Sequence, residues 1–400
     1  VMLWRGAGLR MLWFWFAFSV CLSFWFALRA FGATSALRVW HLQSASDNPV
    51  SDEAEPTSEG AEWPLSGCPP AQSVRCTDAA RRRTAAVYIV GIKARALLNT
   101  TMVHVLRRCV DDGFAVHVYL SLIFDTSGTG NWLRVRQMAR EDPAIEHLSR
   151  RGLQQYVHDL VRRTGACMLC AEIPQRPPEY KRIPVNPGQL REYPPHNNSA
   201  GRRVLNVWFL SERLWNATLR RERASGKRYE FLVWVRDDAY WVADIPRPSA
   251  LMEGREAART MWSLSCRRWG GVNDRVGMFG RDAAPAMLTM FSGFMRGGFP
   301  GGTRNAEVHL LRTARLRSVV LRRSTIEELP CTSAMVYGAQ RGPALCIVRK
   351  YWCGNASGVP GLRFCEDIEQ RAPDVNQSMP WSTTTFPPPR RSKFWCGDVF

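Results

Sequence analysis

The stretch YEFLVWVRDDAYWV, residues 229–242, decides how the chain is read. Phe231 to Val235 are five apolar residues in a row, and Arg236, Asp237 and Asp238 follow at once. So short and so apolar a run reads as a strand buried on both faces, the kind found in the middle of an α/β sheet. Adjacent carboxylates at its end repel each other and gain nothing from packing, so another group must use them. In open α/β sheets, ligands bind in the crevice beyond the carboxyl ends of the strands. A carboxylate there can ligate Mg²⁺ or Mn²⁺, hard cations that accept oxygen donors and share them with a diphosphate. Period-2 alternation sends Asp237 and Asp238 to opposite faces, so one is expected to face the ligand while the other is structural. Ion pairing with Arg236 or a helix cap would use the same residues without any ligand.

Elements of matching kind surround this strand. "TAAVYIVGIKARA" gives a strand at about 85–92, and an amphipathic helix follows through "TTMVHVLRRCVDDG". "FAVHVYLSLIFD", 114–124, is a second apolar strand, so the order implies parallel strands joined by a crossover. Helical patterns are expected at about 131–141, 144–164 and 203–224, with a Pro-rich loop at 173–195 that either covers a site or runs over the surface. Further on, "ARTMWSLSC" and "VGMFG" read as strands around the loop "RRWGGVNDR". Asp282 is expected to cap a helix over 283–295 with Pro285 in its first turn. Asn305 is expected to cap "AEVHLLRTARL" before a last buried strand, "SVVL". The Cys-containing remainder reads as irregular and disulfide-stapled.

Two further pieces offer chemistry. In "WGGVNDR", Trp269 to Arg275, Gly270 and Gly271 allow close backbone approach, and Asn273, Asp274 and Arg275 offer an amide, a carboxylate and a guanidinium. Such a loop can bind sugar hydroxyls; a tight turn whose Asp pairs with its Arg has the same sequence. Glu307, in the first turn of the helix after Asn305, complements the helix dipole or serves as general base toward a hydroxyl.

The ends of the chain speak to compartment. Met11 to Leu28 are uncharged and almost wholly apolar, and eighteen helical residues span roughly 27 Å, near a thin bilayer's hydrocarbon thickness. Arg5 and Arg10 precede the run, which favours a cytoplasmic tail at 1–10 and a signal anchor at 11–28; a cleaved signal peptide is the rival reading. Either sends the rest into the secretory lumen. A flexible Ser, Pro and acid-rich stem is expected over 29–83. Sequons at Asn99, Asn197, Asn216, Asn355 and Asn376 fit that compartment. Of the 12 cysteines, Cys21 lies in the apolar run, which leaves eleven, an odd number, in the remainder. Cys68 and Cys76 could close a loop, and the lone pair Cys167 and Cys170 suits disulfides or inert thiols better than zinc. The net charge of +19 comes mostly from dispersed Arg, with five Lys among 54 basic residues, and no nucleic-acid motif accompanies it. A basic face still attracts anions such as nucleoside diphosphates.

In the order "YEFLVWVRDDAYW", "WGGVNDRVGMFGR", "NAEVHLL" and a Cys-containing tail, the chain resembles a family of plant and algal type II membrane proteins. Over roughly 84–370 it looks like their GT-A-like nucleotide-sugar glycosyltransferase domain. Arg236, Asp238, Tyr240 and Trp241 match that family's strand end, where Asp237 is an addition. The resemblance implies a mostly parallel sheet flanked by helices over 84–330, with a Cys-rich extension at 331–400. It implies Asp238, with Asp237 beside it, as metal or nucleotide ligand, and Mn²⁺ or Mg²⁺ as cofactor. Arg95, in "GIKARA", and Arg236 are then candidates for the diphosphate, while Gly270, Gly271, Asn273 and Arg275 are candidates for donor binding. Asp274 and Glu307 are the catalytic candidates. The implied partners are a nucleotide-sugar donor, a glycan or glycoprotein acceptor, and a Golgi or ER membrane crossed once. A non-catalytic lumenal scaffold is the second reading. A sulfotransferase is the third, since "GIKARALLNTT" makes a poor phosphosulfate loop.

Overall fold

The computed structural model describes Cys68, Cys76, residues 83–124, 139–177, Ile183, 189–266, 268–299, 301–339, 342–349, 352–354, 362–365 and Asp367. The apolar segment 11–28, nearly all of the stem, and the sequons at Asn355 and Asn376 lie outside these residues. Among the described residues no helix is long and apolar enough to cross a membrane.

The first strands are the apolar runs of the sequence. They are β1 (Arg83–Ile92), β2 (Phe114–Ile123), β4 (Cys167–Glu172) and β5 (Phe231–Arg236), and β3 is the short Ala139–Arg140. With β7 (Thr260–Leu264), β8 (Val276–Gly280) and β9 (Val320–Ser324), four of them form a mixed seven-stranded sheet of order β4-β2-β1-β5-β8-β7-β9. The pairings β4/β2, β2/β1, β1/β5 and β7/β9 are parallel; β5/β8 and β8/β7 are antiparallel. Both faces are covered. Val87 and Ile89 of β1 pack with Met102, Leu106 and Val157 on one side, while Tyr88 and Val90 pack with Leu205, Trp208 and Leu214 on the other. That two-sided burial explains why the central strands are continuous apolar runs. The first crossover is helical through Leu98–Thr101, a π-helical Met102–Arg107 and Arg108–Asp111. The second face is covered by the long helix Ser199–Ser225, capped by the Asn198 side chain on the Ala200 N–H at 2.8 Å.

Register positions the site. Val90 of β1 lies opposite Arg236 of β5, and Val235 of β5 lies opposite Val276 of β8. Because β8 runs antiparallel to β5, the loop that enters β8 arrives where β5 ends. The Arg236 N–H donates to the Arg275 carbonyl at 3.1 Å, so the two quoted motifs meet through backbone.

Several expectations are corrected. Residues 139–140, placed at the end of a helix over 131–141, form β3, and the next helix is Arg150–Arg163. Asp282 caps nothing; it pairs with Arg228 at 2.8 Å, and the helices that follow are Pro285–Leu288 and Met290–Met295. "SVVL" is neither buried nor last: β9 is an edge strand with Arg322 and Arg323 exposed. Among the described residues after 330 the chain forms strands where irregular structure was expected. Strand β10 (Cys331–Ala339) pairs with β11 (Gly342–Ile347), with β3, and with β6 (Ala239–Trp241), which continues from the Asp pair; β12 (Arg363–Phe364) adds to β11. Cys68 and Cys76 do not close on each other. They bond Cys170 and Cys167 respectively, and Cys266–Cys353 and Cys346–Cys365 staple the C-terminal part. Cys109 and Cys331 are free and buried. The sequon at Asn216 sits mid-helix, and its Thr218 is 0% exposed and hydrogen bonded to the Tyr88 hydroxyl. Asn197, in a turn, is exposed.

Candidate functional site

At the carboxyl ends of β1 and β5 lies a cavity of about 270 Å³. The strand ends contribute Gly91, Ile92, Arg95 and Arg236, and the β8 entry loop contributes Trp269, Asp274 and Arg275. The N-terminus of helix Ala306–Leu316 brings Asn305 and Glu307, and the Pro-rich segment brings Glu192 and Tyr193. The apolar wall is one face of helix Ser199–Ser225, Val204, Val207 and Trp208 among it.

Asp237 and Asp238 do not open into that cavity. Asp237 Oδ2 accepts from the Ile92 N–H at 2.8 Å and from Arg95 Nε at 3.0 Å, while Oδ1 accepts from Arg95 Nη2 at 2.7 Å and from the Asp238 N–H at 3.0 Å. Burial pushes its carboxyl upward and the Arg95 guanidinium pulls it back. A Cβ on Gly91 would collide with this side chain, so glycine here makes room for Asp237. Asp238, 3% exposed, meets Arg236 Nη2 at 3.1 Å and lies 3.9 Å from Arg95 Nη1. What faces the cavity at the strand end is therefore guanidinium. The expectation that one of the two aspartates, Asp238 by the resemblance, faces the ligand is corrected: neither lines the cavity, and Asp238 turns against Arg236.

The glycine-led loop is near, as its sequence suggested, but its parts divide differently. Asn273 is 1% exposed; its Nδ2 donates to the Cys266 carbonyl at 3.0 Å and its Oδ1 accepts from the Arg275 N–H at 3.0 Å. It holds the turn and does not line the cavity. Gly271 lies against the Glu307 backbone so closely that a Cβ would overlap it, and the Val272 N–H donates to the Glu307 carbonyl at 3.0 Å. Gly271 thus lets the loop abut a helix end, and neither Gly270 nor Gly271 lines the cavity. Asp274 and Arg275 do reach the cavity, and Asp274 lies 3.5 Å from Arg236 Nη1.

Glu307 occupies the first turn of its helix, where Asn305 Oδ1 accepts from the Val308 N–H at 3.0 Å. Burial, then the neighbouring Asp274 carboxylate, raise its pKa to about 8. Tyr193 spans the same corner: its hydroxyl accepts from the Ala306 N–H at 2.9 Å and donates to Glu307 Oε2 at 3.5 Å.

Sequence reasoning missed Tyr193, Glu192, Arg203 and Trp269. The first two sit in a Pro-rich loop without periodicity and Arg203 on a helix among other arginines, so no signal marked them. Trp269 was inside the motif. Its backbone holds φ +48, a left-handed conformation that bulky residues rarely adopt, and the residue is 41% exposed at the cavity wall. Asn305 Nδ2 donates to its carbonyl at 3.1 Å.

The implied divalent cation is tested by the donor set. Among the described residues no group of three or more His, Cys, Asp and Glu is arranged to hold a metal ion. Both strand-end carboxylates already have guanidinium partners, so these residues as arranged do not fit the cation.

No family model matches the chain, and no curated protein does. Among solved structures it is similar to the glycosyltransferase GlyE of Streptococcus pneumoniae TIGR4 at 8% identity and TM-score 0.28, over 61% of this chain and 46% of that one. The likeness thus spans less than half of GlyE. Mouse xyloside xylosyltransferase 1 in its apo form matches at 8% and 0.29, over 61% and 86%. The galactosyltransferase LgtC, in complex with donor and acceptor sugar analogs, matches at 10% and 0.25, over 61% and 74%. At such TM-scores the likeness assigns neither fold nor activity to this chain.

Proposed function

We propose that the chain is a glycosyltransferase that moves a sugar from a nucleoside-diphosphate donor to a hydroxyl of a glycan or glycoprotein. The observation that carries this reading is one cavity, at the carboxyl ends of parallel strands, lined by Arg95, Arg236 and Arg275 together with Asp274 and Glu307. Guanidiniums bind phosphate oxygens in pairs, and carboxylates bind sugar hydroxyls or take a proton. The volume falls just under the roughly 300–1,000 Å³ of small-molecule sites, which suits the reacting end of a donor, its sugar and phosphates. Trp269 offers a flat face at the wall for an acceptor ring.

In the proposed step the acceptor oxygen bonds to the anomeric carbon as the bond from that carbon to the diphosphate oxygen breaks. The bonding electrons leave with the diphosphate, whose charge the arginines stabilise. If configuration inverts, the acceptor proton passes to Glu307 or Asp274. The reading extends to an ER or Golgi lumen and a single type II anchor at 11–28. Four disulfides support the oxidising compartment.

The second reading, a lumenal scaffold without turnover, is favoured by the inward turn of Asp238 against Arg236. Incubating the purified chain with a panel of nucleotide sugars separates the two. A transferase hydrolyses one donor slowly without acceptor, and Glu307→Gln removes that hydrolysis. A scaffold hydrolyses none, and no nucleoside diphosphate shifts its melting temperature.

A further inference from the structure

The strand-end aspartates and arginines form a charge cluster, with Asp274 3.5 Å from Arg236 Nη1 at its rim, and its geometry decides which sign the cavity meets. Asp237 accepts from two backbone N–H groups and from two nitrogens of Arg95, which fills the roughly four lone-pair sites of a carboxylate. Its side chain is 0% exposed. Asp238, with a side chain 4% exposed, sits between Arg236 at 3.1 Å and Arg95 at 3.9 Å. A divalent cation placed on Asp238 would therefore share that space with two guanidiniums and be repelled by both. Arg95 and Arg236, by contrast, keep side chains 22% and 16% exposed, and both line the cavity.

We infer that Arg95 and Arg236 bind the anionic part of the ligand directly, with no divalent cation, and that Asp237 and Asp238 are the counter-charges that hold those guanidiniums in place. This rests on the reading above, that the cavity takes a nucleoside-diphosphate sugar. The arrangement has a physical logic. An arginine aimed into a cavity without a counter-charge carries a large desolvation penalty, whereas one held by carboxylates, as Arg95 is by Asp237 and Arg236 by Asp238 and Asp274, keeps its guanidinium oriented at the cavity wall. A phosphate then meets fixed donors and needs no cation between itself and a carboxylate.

The two roles for Asp238 predict opposite signs. If it ligates a metal, Asp238→Asn weakens binding of a diphosphate. If it is a counter-charge, the same isosteric change leaves Arg236 more positive and tightens binding by about threefold or more. Isothermal titration calorimetry of the full chain with UDP and GDP, in EDTA and again in Mn²⁺, is the test. The expected result is binding in EDTA, with Kd changed less than about twofold by Mn²⁺, and a tighter Asp238→Asn. Arg236→Gln is expected to weaken binding at least about tenfold. Binding seen only in Mn²⁺ overturns the inference and leaves the transferase reading standing. Binding of neither nucleotide under either condition overturns both. Should Asp238→Asn fail to fold, the wild-type comparison in EDTA and Mn²⁺ still decides.

Discussion

Two carboxylate pairs stand within one site and resolve the same repulsion in different ways. Asp237 and Asp238 are neighbours on one strand end, buried and walled by Arg95 and Arg236. Asp274 and Glu307 come from a loop and a helix N-terminus and both line the cavity. In the first pair cations offset the repulsion. In the second the system holds a proton, because burial and the Asp274 charge raise Glu307 to about 8. Asp237 and Asp238 share the tight turn between β5 and β6, and their carboxylates are taken up by Arg95 and Arg236. Residues from two elements can converge on one ligand, since each has its own backbone to aim it. The pair that looked catalytic in the sequence is the structural one.

The sharpest way to break that contrast is Asp237→Ala. It leaves the half-buried Arg95 without its main partner and removes the acceptor for the Ile92 and Asp238 N–H groups. A loss of about 3–5 kcal/mol is expected. Asp274→Ala, on the open pair, should change stability by less than about 1 kcal/mol. Urea unfolding of the two variants side by side reads the difference, and equal losses would erase the distinction. Glu307→Gln tests the other side. Its fold should survive while kcat falls about 10²- to 10⁴-fold, and the wild-type rate should climb with pH through a group near 8, as a base must lose its proton to act.

How much of this was legible follows from where each signal lives. The central strands were plain because burial on both faces writes an uninterrupted apolar run, as in Phe231 to Val235. The Asn305 cap was plain because its geometry is local. The edge strand β9 was misjudged since half-exposed Val319 and Val320 look apolar whatever covers them. Strand β10 was missed because its partners β3 and β6 are far from it, and from each other, in sequence, and only the tertiary path brings them together. The site was legible as a meeting of two motifs, and its division of labour was not. Asn273 and the glycines have the composition of a binding loop, yet they spend it on Cys266, Arg275 and the Glu307 backbone.

A smaller effect separates the pairs by pH. Glu307, with a folded pKa raised above the unfolded value, contributes stability that is present below about 4.5 and lost as pH rises toward about 8. His309, on the same helix, is lowered to about 4 by burial and then by Arg312, so its contribution is present above about 6.5 and lost as pH falls. The two offset each other between about 4.5 and 6.5, leaving Glu307 alone from there to about 8. Stability should fall across that last window by at most about 1.4 kcal/mol per pH unit, and Glu307→Gln should flatten the fall. Denaturation midpoints taken every half unit from pH 5 to 8.5 would show it, and an unchanged slope in the variant would place the proton elsewhere.

The smallest expected effect lies at Trp269, where the open pair meets solvent. An L-residue at φ +48 is strained by about 1–2 kcal/mol, and glycine is not. Trp269→Gly should therefore be more stable than Trp269→Ala, by about 1 kcal/mol once the glycine's greater freedom in the unfolded chain is set against it. Both variants remove the indole face, so both should raise the acceptor KM by roughly fivefold while leaving the donor's unchanged. Stability and binding then move independently at one position. That separation is the useful part, because a residue kept only for packing would lose both together when truncated. Should Trp269→Gly match the wild-type acceptor KM, the strained backbone would need a different reason, and the acceptor would have to approach the Asp274 and Glu307 side from another wall of the cavity.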